Sequence, residues 1–583
     1  MKYPRWRSAP HDPERIAALG REARISPLLA QLLINRGIGD ADAATRFLEA
    51  KMSSLHDPES LPGVVRAAER IVDAARNRRK IMIYGDYDVD GVCGVSVLWA
   101  CLKLAGVEAD ALEFHIPHRI DEGYGLNAET IKKLVHERGA ELIVTVDCGI
   151  SAVEEAAYAR ELGVELIITD HHTIGPRIPA ADVVVHPRAP GSRYPFGDLC
   201  GAAVAFKLAW QICKGFGDGK KASPHMRDFL VRSLGLVALA TIADVVPLEG
   251  ENRVIAKHGL ATLRERPTAG LKALLNISGC TDNTKINAGK IGFQVAPRIN
   301  AAGRLEFASK AVEMLLTEDE RLADSLAREL DECNERRREL ESSILSQARR
   351  AAQERGEPAS RGAIVVGGSG WHAGVIGIVA GRLAEIYHRP VIVASIGETT
   401  TQASARSIVG IDLHQAIQAC SGKLISFGGH AAAAGLKIAT ADFNEFAHEF
   451  DEYCKRILTP ELKERSLAIE AEVQLGMLTT RTVEELEKLE PHGLGNPRPM
   501  LAASRVVLAG DPRHVGEREN HLQLLFRQGD VTHKAIAFNM VEHPDYSKLK
   551  NGVTCSIAFQ ASINEWRGRR DVQLEIRDVD IRE

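Results

Sequence analysis

A chain of 583 residues with 45% hydrophobic and 26% charged side chains has the make-up of an ordinary soluble protein and is long enough for three or four domains. Its formal charge of −5 does not mark a nucleic-acid binder by bulk and does not exclude one, because basic residues cluster locally while acidic ones gather around metals. No apolar run approaches the ~20 residues of a membrane span, the opening MKYPRWRSAPHDPER has no apolar signal core, and the ten cysteines include no CxxC pair. Membrane insertion, a zinc site and a disulfide framework are therefore not expected, and a cytoplasmic location is. Cys93, Cys101, Cys148 and Cys213 lie among apolar residues and read as small core residues.

In chain order, residues 1–55 predict a helical segment, with Ile25, Leu28, Leu29, Leu32 and Leu33 at helical spacing. From 56 to 305, apolar runs at 81–84, 142–146, 166–168 and 183–185 alternate with helical patterns, which predicts a parallel sheet covered by helices. Residues 306–355 are rich in Glu, Arg, Leu and Ala with no proline until Pro358. They predict either one long connecting helix or a helical hairpin broken at 317–319. A second α/β domain is expected over 356–458, with strands at 363–366 and 391–394. In the last stretch, 459–583, strands at 505–508, 522–526, 534–538, 554–561 and 572–576 are joined by polar turns. Five strands at this spacing suggest a small barrel of the nucleic-acid-binding OB type. The fold class is thus α/β, with two α/β domains joined by a long helix and a C-terminal β-barrel.

The segment IMIYGDYDVDGVCG, 81–94, runs an apolar strand into Asp86, Asp88 and Asp90. Three carboxylates in five residues repel one another unless a cation or solvent neutralises them. An EF-hand loop matches only the first half: its twelfth position falls on Val97, where a bidentate Glu is needed, and a strand rather than a helix precedes it. Two further strands end in similar chemistry. LIVTVDCGIS, 142–151, ends at Asp147, and ELIITDHH, 165–172, ends at Asp170, His171 and His172. In a parallel sheet the carboxyl ends of the strands share one edge, where ligands bind. Asp244, after the apolar run LATIADVVPL, adds another carboxylate. Carboxylates with imidazole favour Mn2+ or Mg2+ over a calcium cage, and this many ligands suffices for two ions clamping a phosphoryl group.

These segments resemble the DHH phosphoesterase superfamily: GDYDVDG, VTVDCG, TDHH and TIADVVPL are similar to its four ordered metal motifs. Similarity to its bacterial single-strand-specific exonuclease branch extends over about 60–440, through PHRIDEGYGLN (117–127), QVAPRINAAGR (294–304), GWHAGVIGIVAGRL (370–383), SARS (404–407) and SFGGHAAAAG (426–435). The resemblance implies a DHH catalytic domain followed by a DHH-associated domain. It makes Asp86, Asp88, Asp90, Asp147, His171 and Asp244 the metal ligands of two Mn2+ or Mg2+ ions, with Asp170 and His172 as catalytic groups beside them. Tyr84 departs from the family, many members having His there.

The implied activity is 5′-to-3′ degradation of single-stranded DNA to mononucleotides, in recombination and repair, by a monomer. A single-strand-binding protein and a helicase are partners by resemblance only. Within the resembling segments Arg119, Arg298, Arg304, Ser404, Arg406, Gly429 and His430 become candidates for holding the 5′ phosphate and its neighbours, since arginine forks grip phosphate oxygens. For Gly428-Gly429-His430 a tight helix start is the alternative, and Trp371 either stacks on a base or fills a domain boundary. Residues 564–570, NEWRGRR, suggest a hairpin tip that grips single strands or a plain solvated turn. A DHH hydrolase of short oligonucleotides or cyclic dinucleotides, a catalytically silent DNA-binding scaffold and an inorganic pyrophosphatase are the competing readings. The long helix and the barrel argue against the first, the full set of carboxylates against the second, and chain length against the third.

Overall fold

A computed structural model describes residues 4–581, apart from residues 218, 282, 283, 518, 544 and 567 and the side chains of Glu542 and Trp566. The chain divides into two compact units, one formed by Lys51–Leu458 and the other by Met1–Ala50 together with Thr459–Glu583.

The larger unit starts with a parallel sheet of β1 (Ile81–Gly85), β2 (Leu112–His115), β3 (Leu142–Val146), β4 (Glu165–Thr169) and β5 (Val183–Val185), in the order β2-β1-β3-β4-β5. Alternate residues feed opposite cores: Ile81, Ile83, Leu142 and Val144 face one, Met82, Tyr84 and Ile143 the other. Cover on both faces is why these strands read as unbroken apolar runs. The first core is closed by α1 (Val89–Leu104), α2 (Gly201–Gly215) and α3 (Pro224–Ala243), which pack on one another. Because β2 lies on one side of β1 and β3 on the other, the strand order reverses at β1. A crevice opens between the carboxyl ends of β1 and β3, the usual ligand position in such sheets.

Beyond the sheet, α4 (Ala296–Leu305) leads through a short helix, Ser309–Leu316, to α5 (Glu320–Glu354). The break falls at 317–319: Thr317 is extended, and the Asp319 side chain caps α5 by accepting the Arg321 and Leu322 N–H groups. At 1.5 Å per residue α5 spans about 50 Å and leads into a second sheet. That sheet comprises β6 (Ile364–Ser369), β7 (Val391–Ile396), β8 (Thr400–Arg406), β9 (Leu424–Gly429) and β10 (Ala433–Ala439), ordered β9-β10-β8-β7-β6. The crossover α6 (Ala373–Tyr387) joins the parallel pair β6 and β7. Residues 431–435, which alternatively suggested a helix start, form the turn and first residues of the β9–β10 hairpin.

In the smaller unit β11 (Leu501–Leu508), β12 (His521–Gln528), β13 (Val531–Ala537), β14 (Thr554–Trp566) and β15 (Arg569–Asp580) pair in the closed circuit β11-β14-β15-β13-β12-β11. Residues 4–50 belong to this unit. Arg5–Ser8 pairs in parallel with Ser466–Ile469. The helix Pro27–Asn35 shares its core (Leu29, Leu32, Leu33) with Leu475, Leu501, Leu524 and Phe559. Helical spacing marked the buried face of this segment without naming its partner. At the β14–β15 tip, the suggested strand-gripping residues Arg567 and the Trp566 side chain lie outside the described residues, and Arg570 is paired with Glu484 at 2.8 Å.

In the larger unit, Lys207 on α2 and Glu251 are both fully buried and paired at 2.5 Å. The Lys207 ammonium also donates to the His56 carbonyl at 2.6 Å, while the His56 N–H and the Tyr194 hydroxyl donate to Glu251. Removing one partner strands the other charge in the core. Lys207→Ala is expected to lower unfolding free energy by about 3–5 kcal/mol, measured by urea denaturation.

Candidate metal centre

Each carboxylate of the crevice is fixed by the element that delivers it. Asp86 follows β1 directly. Asp88 is the N-cap of α1, its Oδ1 accepting the N–H groups of Asp90 and Gly91 at 2.9 and 3.1 Å. Asp90, in the first turn of α1, accepts the Gly201 and Ala202 N–H groups at 2.5 and 2.8 Å, so the N-terminus of α2 holds its carboxylate. Asp147, past the end of β3, has φ of 64°, an uncommon conformation for a residue with a side chain. Its N–H is tied to the Thr169 carbonyl at 3.1 Å. Asp244 ends α3.

Asp170 has a different place. Its Oδ1 accepts the backbone N–H groups of His171 and His172 and lies 2.8 Å from His172 Nδ1, while Oδ2 accepts the Ile150 N–H. It therefore organises the two histidines rather than facing the crevice. His171 Nε2 stands 3.2 Å from Asp147, 3.7 Å from Asp90 and 3.7 Å from Asp244.

Among the described residues, three overlapping sets bring ligand atoms within 4.8 Å of one another: Asp86, Asp88 and Asp147; Asp90, His171 and Asp244; and Asp147, His171 and His172. Asp147 Oδ1, Asp86 Oδ1 and His171 Nε2 are buried and make no hydrogen bond. Buried polar atoms crowded together yet unpaired are what a cation would satisfy, so this donor set fits a pair of divalent ions.

The electrostatics agree. Burial, then the neighbouring carboxylates, push the Asp86, Asp88 and Asp147 carboxyls above their usual range, and Asp244 up to about 9. Burial, the largest single influence, disfavours charge on Asp170 and His172, but their mutual hydrogen bond, their attraction and the surrounding donors and carboxylates together outweigh it. Asp170 is held at about 2 and His172 is raised to about 9. The Tyr124 hydroxyl lies 3.2 Å from both ring nitrogens of His172 and 3.5 Å from the Asp147 carbonyl, to which it donates. Burial keeps His171 unprotonated, as a ligand must be.

The cleft over these groups, about 320 Å³, is lined by Asp86, Asp88, Asp244, Tyr87, Tyr124, His172, Asn300, Arg119 and Arg304, among others. The Arg119 guanidinium lies 4.7 Å over the Tyr87 ring. The Arg304 guanidinium donates to the Gly374 carbonyl at the start of α6, at 3.0 Å, so it bridges the two sheets' domains. Burial and the charges of Arg119, Arg406 and Arg337 bring Arg304 down to about 10, and burial and Arg119 lower Arg406. A Cβ added at Gly377 of α6 would lie 3.0 Å from Ser404 Oγ and 3.4 Å from Arg406, which places both against α6. Among the described residues, none of Arg119, Arg304 and Arg406 has a carboxylate within 4.0 Å. Three mutually repelling guanidinium groups without anions await one.

Arg298 is not brought to this cleft. Its guanidinium lies 2.8 Å from Asp331 and donates to the Gln294 and Ile277 carbonyls. Gly429, with φ of 137°, ends β9, and the exposed His430 turns the hairpin beside Ala433, the register partner of Arg406. Trp371 is buried, its indole N–H donating to Gln347 at 3.0 Å, and fills the domain core rather than offering a stacking face; His372 caps α6. Tyr84 is also buried. Its hydroxyl donates to the Gly125 carbonyl beneath the Tyr124 loop and takes no place among the ligands.

Tyr87, Tyr124 and Asn300 of the cleft were not singled out from sequence. Tyr124 was visible only as part of the segment 117–127. Asn300 Oδ1 accepts the Val89 N–H at 3.1 Å, and a Cβ at Gly303 would come within 2.2 Å of the Tyr87 carbonyl oxygen. Through them α4 holds the Asp86–Asp90 loop.

Family models match at residues 80–241 (DHH family, N-terminal domain), 361–456 (DHHA1 domain) and 469–578 (RecJ OB domain). The chain is 38% identical to the single-stranded-DNA-specific exonuclease RecJ of Bacillus subtilis over 99% of this chain and 71% of the relative. It is 34% identical to that of Escherichia coli over 96% of each. The chain belongs to the RecJ family. RecJ of Thermus thermophilus in complex with Mn2+ superimposes with a TM-score of 0.83 at 31% identity, covering 99% of this chain and 80% of that one. The Mg2+ complex of the same protein gives 0.77 at 29%, covering 99% and 79%. No helix among the described residues is long and apolar enough to cross a membrane.

An aspartate whose carboxyl is raised in the fold stabilises the protein below its unfolded value, near 4, and loses that contribution as pH climbs through the folded value. Metal-free protein is therefore expected to lose stability as pH rises from 5 to 9, while a bound cation offsets the exposed charge. The gain in Tm on adding Mn2+ should grow across that range, read by scanning calorimetry. An increment that stays flat or shrinks would contradict this arrangement.

Proposed function

We propose that this chain is a metal-dependent exonuclease specific for single-stranded DNA, degrading it from the 5′ end to mononucleotides in recombination and repair. The observation that carries the reading is the set of unsatisfied buried carboxylate and imidazole atoms beside a cleft lined by the Arg119 and Arg304 guanidinium groups, with Arg406 near both. Near full-length similarity to proteins named as such exonucleases supports it.

Asp86, Asp88, Asp90, Asp147, His171 and Asp244 would hold two Mn2+ or Mg2+ ions. When bound, these supply Lewis-acid charge to the phosphodiester and acidify the attacking water. The protein's own part is placement. Arg119, Arg304 and Arg406, with Ser404 and the Gly429–His430 turn, hold the terminal phosphate, which sets the next phosphodiester over the carboxylates. Asp170 holds His172, which lines the cleft, and favours its charged form, placing a donor toward phosphate oxygens as charge builds on them. Because Arg304 also contacts α6, end recognition draws on both domains. A strand-separating helicase and a single-strand-binding protein are the partners that such an activity implies.

The direct test digests DNA labelled at the 5′ or the 3′ end, single- or double-stranded, and a dinucleotide, with Mn2+ or EDTA. Immediate release of 5′-labelled mononucleotide from single strands is expected, abolished by EDTA and by Asp88→Ala. Cleavage of the dinucleotide alone would overturn the exonuclease reading. Loss of one charge-assisted phosphate contact costs roughly 1.5–3 kcal/mol. Arg406→Ala is therefore expected to raise KM for 5′-phosphorylated strands about 10- to 100-fold and to erase their advantage over 5′-hydroxyl strands, in steady-state assays on both substrates.

A further inference from the structure

Phe307 is 58% exposed although its neighbours are fixed: Ala308 is buried, and Glu306 is paired with Lys310 and Arg336. A singly exposed apolar side chain is ordinary on a protein surface; Phe307 is set apart by what surrounds it. One side of the ring is already backed. The His118 imidazole packs against it with centroids 5.0 Å apart and planes inclined by 35°, and His118 is itself held by Asp121 at 2.6 Å. The remaining ring surface has no aromatic partner among the described residues.

The position of the pair gives the occupant its chemistry. His118 immediately precedes Arg119, and Phe307 lies three residues beyond Arg304; both arginines line the cleft over the carboxylates. The two rings therefore join the two segments that deliver guanidinium groups to the cleft. Cationic groups for a backbone next to an open aromatic face are the two halves of a nucleotide site. Phe293 is more exposed, at 87%, but among the described residues no ring packs on it.

We propose that Phe307, backed by His118, is a stacking subsite for one unpaired nucleobase of the strand whose phosphates enter the cleft. The inference rests on the exonuclease reading and deepens it. A base inside a duplex has both faces covered by its neighbours, so the subsite accepts only a base that has left the stack. Selectivity for single strands then arises in part from stacking, independently of sequence, since every base has a face to offer.

The test uses the full chain in EDTA with 5′-phosphorylated oligonucleotides carrying 2-aminopurine at each of the first several positions in turn, followed by steady-state digestion with Mn2+. In the wild type, fluorescence at one position should be quenched on binding. Phe307→Ala should abolish that quenching and raise KM about tenfold, a modest value for one stacked base, with a much smaller change in kcat. Phe307→Trp should restore both. An abasic nucleotide at the same position should weaken wild-type binding by a similar factor and Phe307→Ala binding no further. Quenching and KM unchanged in Phe307→Ala, or additive losses from the variant and the abasic site, would overturn the subsite. Failure of the wild type to degrade the unmodified strand would instead overturn the exonuclease reading beneath it.

Discussion

Repulsion among the Asp86, Asp88, Asp147 and Asp244 carboxylates in a water-poor crevice is the force that the surrounding architecture has to contain. The parallel sheet brings Asp86 and Asp147 together because the strand order reverses at β1. Helix N-termini then supply the first counter-charge: α1 is capped by Asp88, and α2 points its first two N–H groups at Asp90. These contacts fix the geometry without neutralising it. The residual negative potential is what makes the crevice a cation site rather than an ordinary polar core.

Opposite this negative floor lies a positive roof, and the same segment serves both. Helix α4 holds the Asp86–Asp90 loop through Asn300 and a close approach at Gly303, and one residue later sends Arg304 to the start of α6. The carboxylate loop and Arg304 are thus indexed to one element, α4, whereas Arg406 reaches the site from β8, beyond the long helix α5.

The carboxylate–histidine centre was legible because strand ends are marked locally: an apolar run followed by Asp86, Asp147 or Asp170-His171-His172 places those groups on one edge of a parallel sheet. What was not legible depends on partners distant in sequence. Arg298 and Arg304 sit in the same segment with similar surroundings, and only the packing of α4 shows that one is spent on Asp331 while the other reaches the cleft. Trp371 carries no local sign that Gln347 awaits it. The alanine run at 431–434 suits a helix by propensity, yet pairing with β8 makes it part of a hairpin. That Asp170 holds both histidines through its carboxylate needed the hydrogen bonds of the loop itself.

The smaller unit is assembled from the two ends of the chain, with the whole larger unit lying between them in sequence. During synthesis, Leu29, Leu32 and Leu33 leave the ribosome long before Leu501 and Phe559, with which they share a core. At roughly 5–20 residues per second, the helix Pro27–Asn35 waits on the order of 25–100 s for these partners, an apolar face without a home while the intervening domains fold. Vectorial folding therefore leaves the strand that begins at Arg5 and the leucines behind it to be shielded by chaperones.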